Sequence, residues 1–314
     1  MNIIDTHCDA LLKLQVDKRN TYMFKKRELD FTNHDSIDTN RARLEQGGVK
    51  VQFFAIFLSP AIPDNEKWQH ALEQVDCFYD EILTQPDVVH ITDLKQIPEL
   101  KDNEIGAVLT LEGSDAFGND LMKLKTLFRL GVLSLGLTWN NANLVADGVG
   151  EKRLAGLTNF GFDVIDLCNE YNVLVDVSHL NENGFDDIIS RADRVFASHS
   201  NSRAIMNHLR NLTDSQISQI IEKGGMINLV FNPPFIKEGA CEIEDLFPHI
   251  DRIIELGGTN YIGLGSDFDG IFDYVKDLNH AGEYKNFVDK IEAQYGHVLA
   301  EKITHQNFID NFCK

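Results

Sequence analysis

Short apolar runs recur along the chain, and the stretches between them return their apolar residues every three or four positions. The runs read as strands at 2–7, 49–58 (VKVQFFAIFL), 106–112, 132–139, 173–178 (VLVDVS), 195–199, 225–231 (GMINLVF) and 261–266 (YIGLGS). Amphipathic segments at 66–84, 119–130, 159–172, 181–192, 213–223 and 242–257 read as helices between them. Strands that alternate with helices pair in parallel, and eight such units imply closure into a (β/α)8 TIM-type barrel, an α/β fold. Local signals mark several boundaries. Thr213 opens TDSQI as a helix N-cap, while Gly224–Gly225 and Gly257–Gly258 end helices just before strands. Residues 10–48 are too long and polar for a single crossover and predict extra helices flanking a site.

Length agrees with this pattern. At 314 residues the chain exceeds the roughly 250 of a typical barrel, which leaves room for insertions within one domain over residues 1–314. A net charge of −20 argues against nucleic acid and anionic membrane surfaces as partners. No run approaches the roughly 18 apolar residues of a membrane span, and the N-terminal MNIIDTHCD has no basic leader segment. Five cysteines, with no C-x-x-C pair among them, read as free thiols in a reducing compartment. The expectation is a cytoplasmic protein.

Polar residues at the ends of the apolar runs change the picture from fold to chemistry. His7 and Asp9 close the first run with one residue between them, so in extended chain both face the same space and Cys8 faces away. A His-x-Asp pair alone is more often a capped turn than a ligand pair. Here, however, Glu112 closes the third run, His179 the fifth, His199 the sixth and Asp267 the eighth. In a barrel these tips converge on the rim that carries active sites. Histidine and carboxylate donors without cysteine suit zinc or a similar divalent ion, and the set exceeds what one open catalytic zinc needs. Two ions sharing a carboxylate would use all of it, generating hydroxide near neutral pH and polarising a carbonyl, as amide hydrolysis requires. Asp269 competes with Asp267, since "SDFDG" also reads as a turn.

In order along the chain, DTHCD, LEGSDAF, LTWNN with ADG, DVSH, ASHSNSR and GSDFDG resemble the renal (membrane) dipeptidase family of the amidohydrolase superfamily. The resemblance runs through the terminal HQNFIDNF. It implies a zinc dipeptidase with two Zn2+, one held by His7 and Asp9, the other by His179 and His199, with Glu112 bridging. It further implies that Asp267 is the acid/base, that Arg210 rather than the nearby Arg203 clamps the carboxylate of a small dipeptide substrate, and that the protein is a homodimer. Where mammalian members carry a histidine after LT, this chain has Trp139. Carbonyl polarisation then rests on zinc or on Asn140, Asn141 or Asn143, with Trp139 as pocket wall. Two other readings stay open: a related binuclear amidohydrolase acting on another amide, lactone or N-acyl amino acid, and a non-catalytic barrel that binds peptide or senses metal. A carboxylate clamp at Arg210 favours the dipeptidase over a lactonase, since an alkyl lactone needs none, and the pairing of Glu112 with Asp267 argues against the second.

Overall fold

The structure, a computed structural model, describes residues 1–21 and 26–314. Nine parallel strands form one sheet: β1 (Ile3–Asp5), β2 (Val49–Phe57), β3 (Val88–His90), β4 (Ile105–Glu112), β5 (Val132–Gly136), β6 (Leu174–Asp176), β7 (Val195–Ala197), β8 (Met226–Leu229) and β9 (Ile262–Leu264). Their order is β2-β1-β9-β8-β7-β6-β5-β4-β3, and an additional pairing of β2 with β4 closes eight of them into a (β/α)8 barrel. That seam is the longest ladder, running in register from Val51↔Gly106 to Phe57↔Glu112. All eight strands expected from the sequence are present, most of them shorter at their C-terminal ends. The sequence reading did not include β3, which adds outside the barrel on the start of β4 through Val88↔Ile105. Three residues, VVH, carry too little periodicity to announce a strand.

Helices α1 (Ala10–Thr21), α2 (Arg41–Gly47), α3 (Asp64–Cys77), α4 (Leu121–Arg129), α5 (Asn159–Glu170), α6 (Glu182–Arg191), α7 (Asp214–Glu222), α8 (Phe247–Glu255), α9 (Tyr284–Tyr295), α10 (His297–Glu301) and α11 (Asn307–Phe312) surround the strands. The caps follow the sequence signals. Thr213 accepts from the Gln216 backbone N–H at the start of α7 while Gln216 reaches back to the Thr213 N–H. Gly224, after that helix, and Gly257, after α8, both adopt the left-handed conformation that glycine enters without steric cost. The expected extra helices within 10–48 are α1 and α2; residues 22–25 of that stretch lie outside the described residues.

Two apolar layers hold the barrel. The larger lies between strands and helices. The smaller fills the barrel interior with Ile4, Val51, Phe53, Val108, Phe196 and Met226, and Phe308 and Phe312 of α11 close it from below. Removing either aromatic ring from such a plug costs about 3–5 kcal/mol. With the N-terminal end filled, the cavity opens at the C-terminal ends of the strands. Among the described residues, no helix is long and apolar enough to cross a membrane.

Candidate metal centre

Glu112 is the last residue of β4 and stands level with Phe57 of β2 and Gly136 of β5. The remaining candidate side chains lie just beyond their strands, not within them. His7 and Asp9 flank Cys8, which stays extended: its carbonyl accepts from the Ala55 N–H at 2.9 Å, and it bridges Phe268. Period two therefore survives past the strand end, so Cys8 is buried away from the cluster. His179 (φ +65°) and Asp267 (φ +67°) occupy left-handed turns, conformations that cost a non-glycine residue about 1 kcal/mol or more. The chain accepts that cost where both side chains are turned toward the barrel axis. Gly270 completes the GSDFDG turn because a Cβ there would lie 2.1 Å from Asp9 Oδ2.

These turns bring together two overlapping groups. His7, Asp9 and Glu112 form one, and Glu112, His179 and His199 the other; within each, potential ligand atoms lie within 4.8 Å of one another. His7, His199 and Asp267 form a third group by the same measure. His7 Nε2 stands 3.5 Å from Asp9, 3.6 Å from Glu112 and 3.7 Å from Asp267. On the other side, Glu112 Oε1 lies 2.8 Å from His179 Nε2 and 3.8 Å from His199 Nε2.

Hydrogen bonds decide which imidazole nitrogens face the centre. His179 Nδ1 lies 2.9 Å from Asn140 Oδ1, and an amide oxygen only accepts, so Nδ1 carries the proton and Nε2 a lone pair. For His199 the partner is Ser198 Oγ at 2.6 Å, and that hydroxyl donates to Asp176 Oδ2 at 2.5 Å. An oxygen whose own proton goes to Asp176 must accept from His199 Nδ1, so His199 Nε2 also carries a lone pair, 2.9 Å from His179 Nε2. The sequence reading missed Asp176 and Ser198. Their only signal was a polar side chain inside or just past an apolar run.

Electrostatics fit divalent cations. Burial holds His179 and His199 well below the usual histidine range, and the charges of Arg210 and His7 press the same way. Both are neutral donors. Burial would also lower His7, but the Glu112, Asp9 and Asp267 carboxylates outweigh it and lift it to about 10. Glu112 is raised well above the carboxylate range by burial, reinforced by Asp9 and Asp267 and opposed by His7 and Arg210. Asp267 is pushed up to about 7, again by burial first, with Asp9 adding repulsion and His7 and Arg210 opposing. Protons are thus held where cations would stand. His7 Nε2 and Asp9 Oδ1 are buried and find no hydrogen-bond partner among the described residues, the expected mark of a ligand atom waiting for an ion.

The other candidates sort by position. Arg210 is buried with its Nε unpartnered among the described residues; one Nη donates to His199 O at 3.3 Å, and the guanidinium lies over the Phe235 ring. Arg203 instead pairs with Glu182 at the surface. Trp139 and Asn140 line the cavity, the Trp139 ring edge-on to Phe57 at 5.5 Å. Asp269 stays outside the cluster, accepting from the Asp38 N–H and Thr39 hydroxyl and pairing with Lys13 at 2.8 Å. Asp5 accepts from Ser266 and Tyr284 and so ties β1 to the turn bearing Asp267.

Comparison with known proteins matches residues 1–311 to the model of the membrane dipeptidase family, peptidase family M19. An uncharacterized dipeptidase of Schizosaccharomyces pombe is 30% identical over 315 residues, covering 92% of this chain and 74% of that protein. Among solved structures, a metallopeptidase from Rhodobacter sphaeroides, liganded with a phosphinate mimic of the dipeptide L-Ala-D-Ala, is similar at TM-score 0.89 and 25% identity over 99% of both chains. A dipeptidase described as an M19 metallopeptidase is similar at TM-score 0.88 and 26% identity, covering 100% of this chain and 99% of the other.

Proposed function

The chain belongs to the membrane dipeptidase family, and on that premise we propose that it is a zinc-dependent dipeptidase, one barrel domain over residues 1–314, cleaving the peptide bond of dipeptides at a two-ion centre. His7 and Asp9 would hold one ion, His179 and His199 the other, and Glu112 both. When bound, two such cations supply the Lewis acidity that makes water a nucleophile near neutral pH and polarises an amide carbonyl.

The chain's own groups do the rest. Asp267, beside His7 on the same centre, takes the proton of the attacking water and returns it to the departing amine nitrogen. Asn140 uses its side-chain oxygen to orient His179 and keeps an amide nitrogen to donate to substrate, while Trp139 walls the site. The observation that carries the reading is Arg210. A buried guanidinium with an unpartnered Nε, in the same cavity as the shared ligand sets, is built to grip a carboxylate through paired, charge-assisted hydrogen bonds. The dipeptide mimic bound by the Rhodobacter sphaeroides relative supports the same substrate class.

The test compares dipeptides with their C-terminal amides and counts metal in parallel. Wild type should contain about two zinc ions per chain and strongly prefer the free acid. Arg210→Ala should erase that preference, a loss of about 2–5 kcal/mol in transition-state binding, with the metals still in place. Arg210→Lys should recover only part, since lysine lacks the planar fork. Equal rates on acid and amide in the wild type would instead favour an amidohydrolase acting on a substrate without a carboxylate, such as a lactone.

A further inference from the structure

The cavity above the centre encloses about 990 Å3, at the upper end of the roughly 300–1,000 Å3 typical of small-molecule sites. A dipeptide of two small residues would leave much of it to water. Where the surplus lies is set by the strand order. Around the closed barrel, β7 and β2 stand four strands apart in either direction, so they face each other across the axis. Arg210 follows β7, and its guanidinium rests against Phe235, which follows β8. Phe57 ends β2 level with Glu112, and paired residues in neighbouring strands project to the same side of the sheet. A substrate held by its carboxylate at Arg210, with its peptide bond over Glu112, therefore points its N-terminal residue toward the β1–β2 side.

That side is apolar. The Trp139 and Phe57 rings meet edge to face, and Leu12 and Val16 of α1 line the same cavity, as does Phe272. Val16 is 49% exposed and Phe272 96% exposed, so hydrophobic surface stands in water at the entrance of the site. Polar groups also line this cavity, with the Glu28 and Asp273 carboxylates exposed at its rim and two others engaged. Asp17 accepts from the Glu28 and Leu29 backbone N–H groups, and Lys13 pairs with Asp269 and donates to Ser36 O. A side chain that covers the Phe57 and Trp139 rings gains by removing apolar area from water, and a charged one seated there loses hydration.

We infer that the centre prefers dipeptides whose N-terminal residue carries a bulky apolar side chain, aromatic or branched aliphatic, seated between Phe57, Trp139 and α1. The inference rests on the dipeptidase reading and on Arg210 as the carboxylate grip.

The experiment measures kcat/KM for Phe-Ala, Leu-Ala, Gly-Ala, Lys-Ala and Gly-Phe on the zinc-loaded enzyme. Phe-Ala and Leu-Ala should exceed Gly-Ala by about 30-fold or more, and Gly-Phe should exceed it by no more than about threefold, the scale that apolar pocket filling supports. Val16→Asp should shrink the Phe-Ala to Gly-Ala ratio about tenfold by placing an unpaired charge on the wall, with a thermal melt to verify that the exposed substitution leaves the fold intact. Gly-Ala matching Phe-Ala would overturn the inference and leave the dipeptidase reading standing. So would Lys-Ala as the fastest substrate, an equal gain for Gly-Phe, or an unchanged ratio in Val16→Asp. Hydrolysis of none of the five would bring down the dipeptidase reading as well.

Discussion

On the β1 and β9 side of the cluster, His7 faces three carboxylates and is held protonated to about pH 10; on the β6 and β7 side, His179 and His199 are neutral and locked by hydrogen bonds to Asn140 and Ser198. The first side is rich in charge, and His7 Nε2 and Asp9 Oδ1 lack hydrogen-bond partners among the described residues. The second has little charge and is fully oriented. A cation entering the first must displace protons, which makes its affinity depend on pH. Entering the second, it meets lone pairs already aimed, so preorganisation carries more of the affinity. Glu112 belongs to both sides because its two oxygens face opposite ways: Oε2 toward His7 and Oε1 toward His179.

The largest expected effect comes from removing that common member. Glu112→Ala should strip most of both ions and lower hydrolysis by at least about a thousandfold, read by elemental analysis alongside turnover. Full retention of two ions would show that the sides are independent. Asp267→Asn alters the charged side alone. It keeps the shape but cannot carry the proton, so kcat should fall at least about a hundredfold with metal content unchanged; a near-wild-type rate would assign the proton transfer elsewhere.

Asp176→Asn attacks the oriented side through Ser198. Metal affinity there should weaken about 10–100-fold while the other ion stays, as measured by chelator competition on the metal-free protein. Equal weakening of both ions would mean that Asp176 supports the rim as a whole. The smallest effect is on stability without metal. His7, raised to about 10 from its ordinary 6.5, stabilises the fold below about pH 6.5, and that contribution fades as pH rises through 10. Asp267, raised from 3.8 to about 7, also binds more protons folded than unfolded, so it too lowers stability as pH rises from about 4 to 7. Below about pH 7 this is opposed by His179 and His199, held below the usual histidine range, so the melting temperature of the metal-free protein should drop with rising pH between about 7 and 10, and added zinc should cancel the trend. A flat profile without metal would remove the charge asymmetry from the comparison.

The charged side was the easier to read from sequence. His7, Asp9 and Glu112 each end or follow an apolar run, and His-x-Asp places both side chains on one face by period alone. Asp176 and Ser198 left no comparable trace, because a serine one residue beyond a strand has no meaning until the next strand lies beside it. Asn140 was read toward the substrate, and the structure shows its oxygen bonded to His179 Nδ1. The apolar wall was illegible for a similar reason. Leu12 and Val16 look like an ordinary helix face until α1 is seated over the mouth.

Eight apolar runs, five of them closed by histidine or carboxylate residues, were enough to specify a parallel barrel and the rim on which chemistry would collect, because hydrophobic period and turn chemistry act between neighbours in the chain. Pairing was decided elsewhere. Closure of β2 on β4 sets Phe57 level with Glu112, the order of strands sets Arg210 across the axis from Phe57, and the turn at Asp267 is tied to β1 through Ser266 and Asp5. Those contacts join residues from about 50 to more than 250 positions apart, as Thr110 to Phe54 and Ser266 to Asp5 show. Their distances follow from register and closure, which cooperate over the whole sheet and leave no mark on any one segment of sequence.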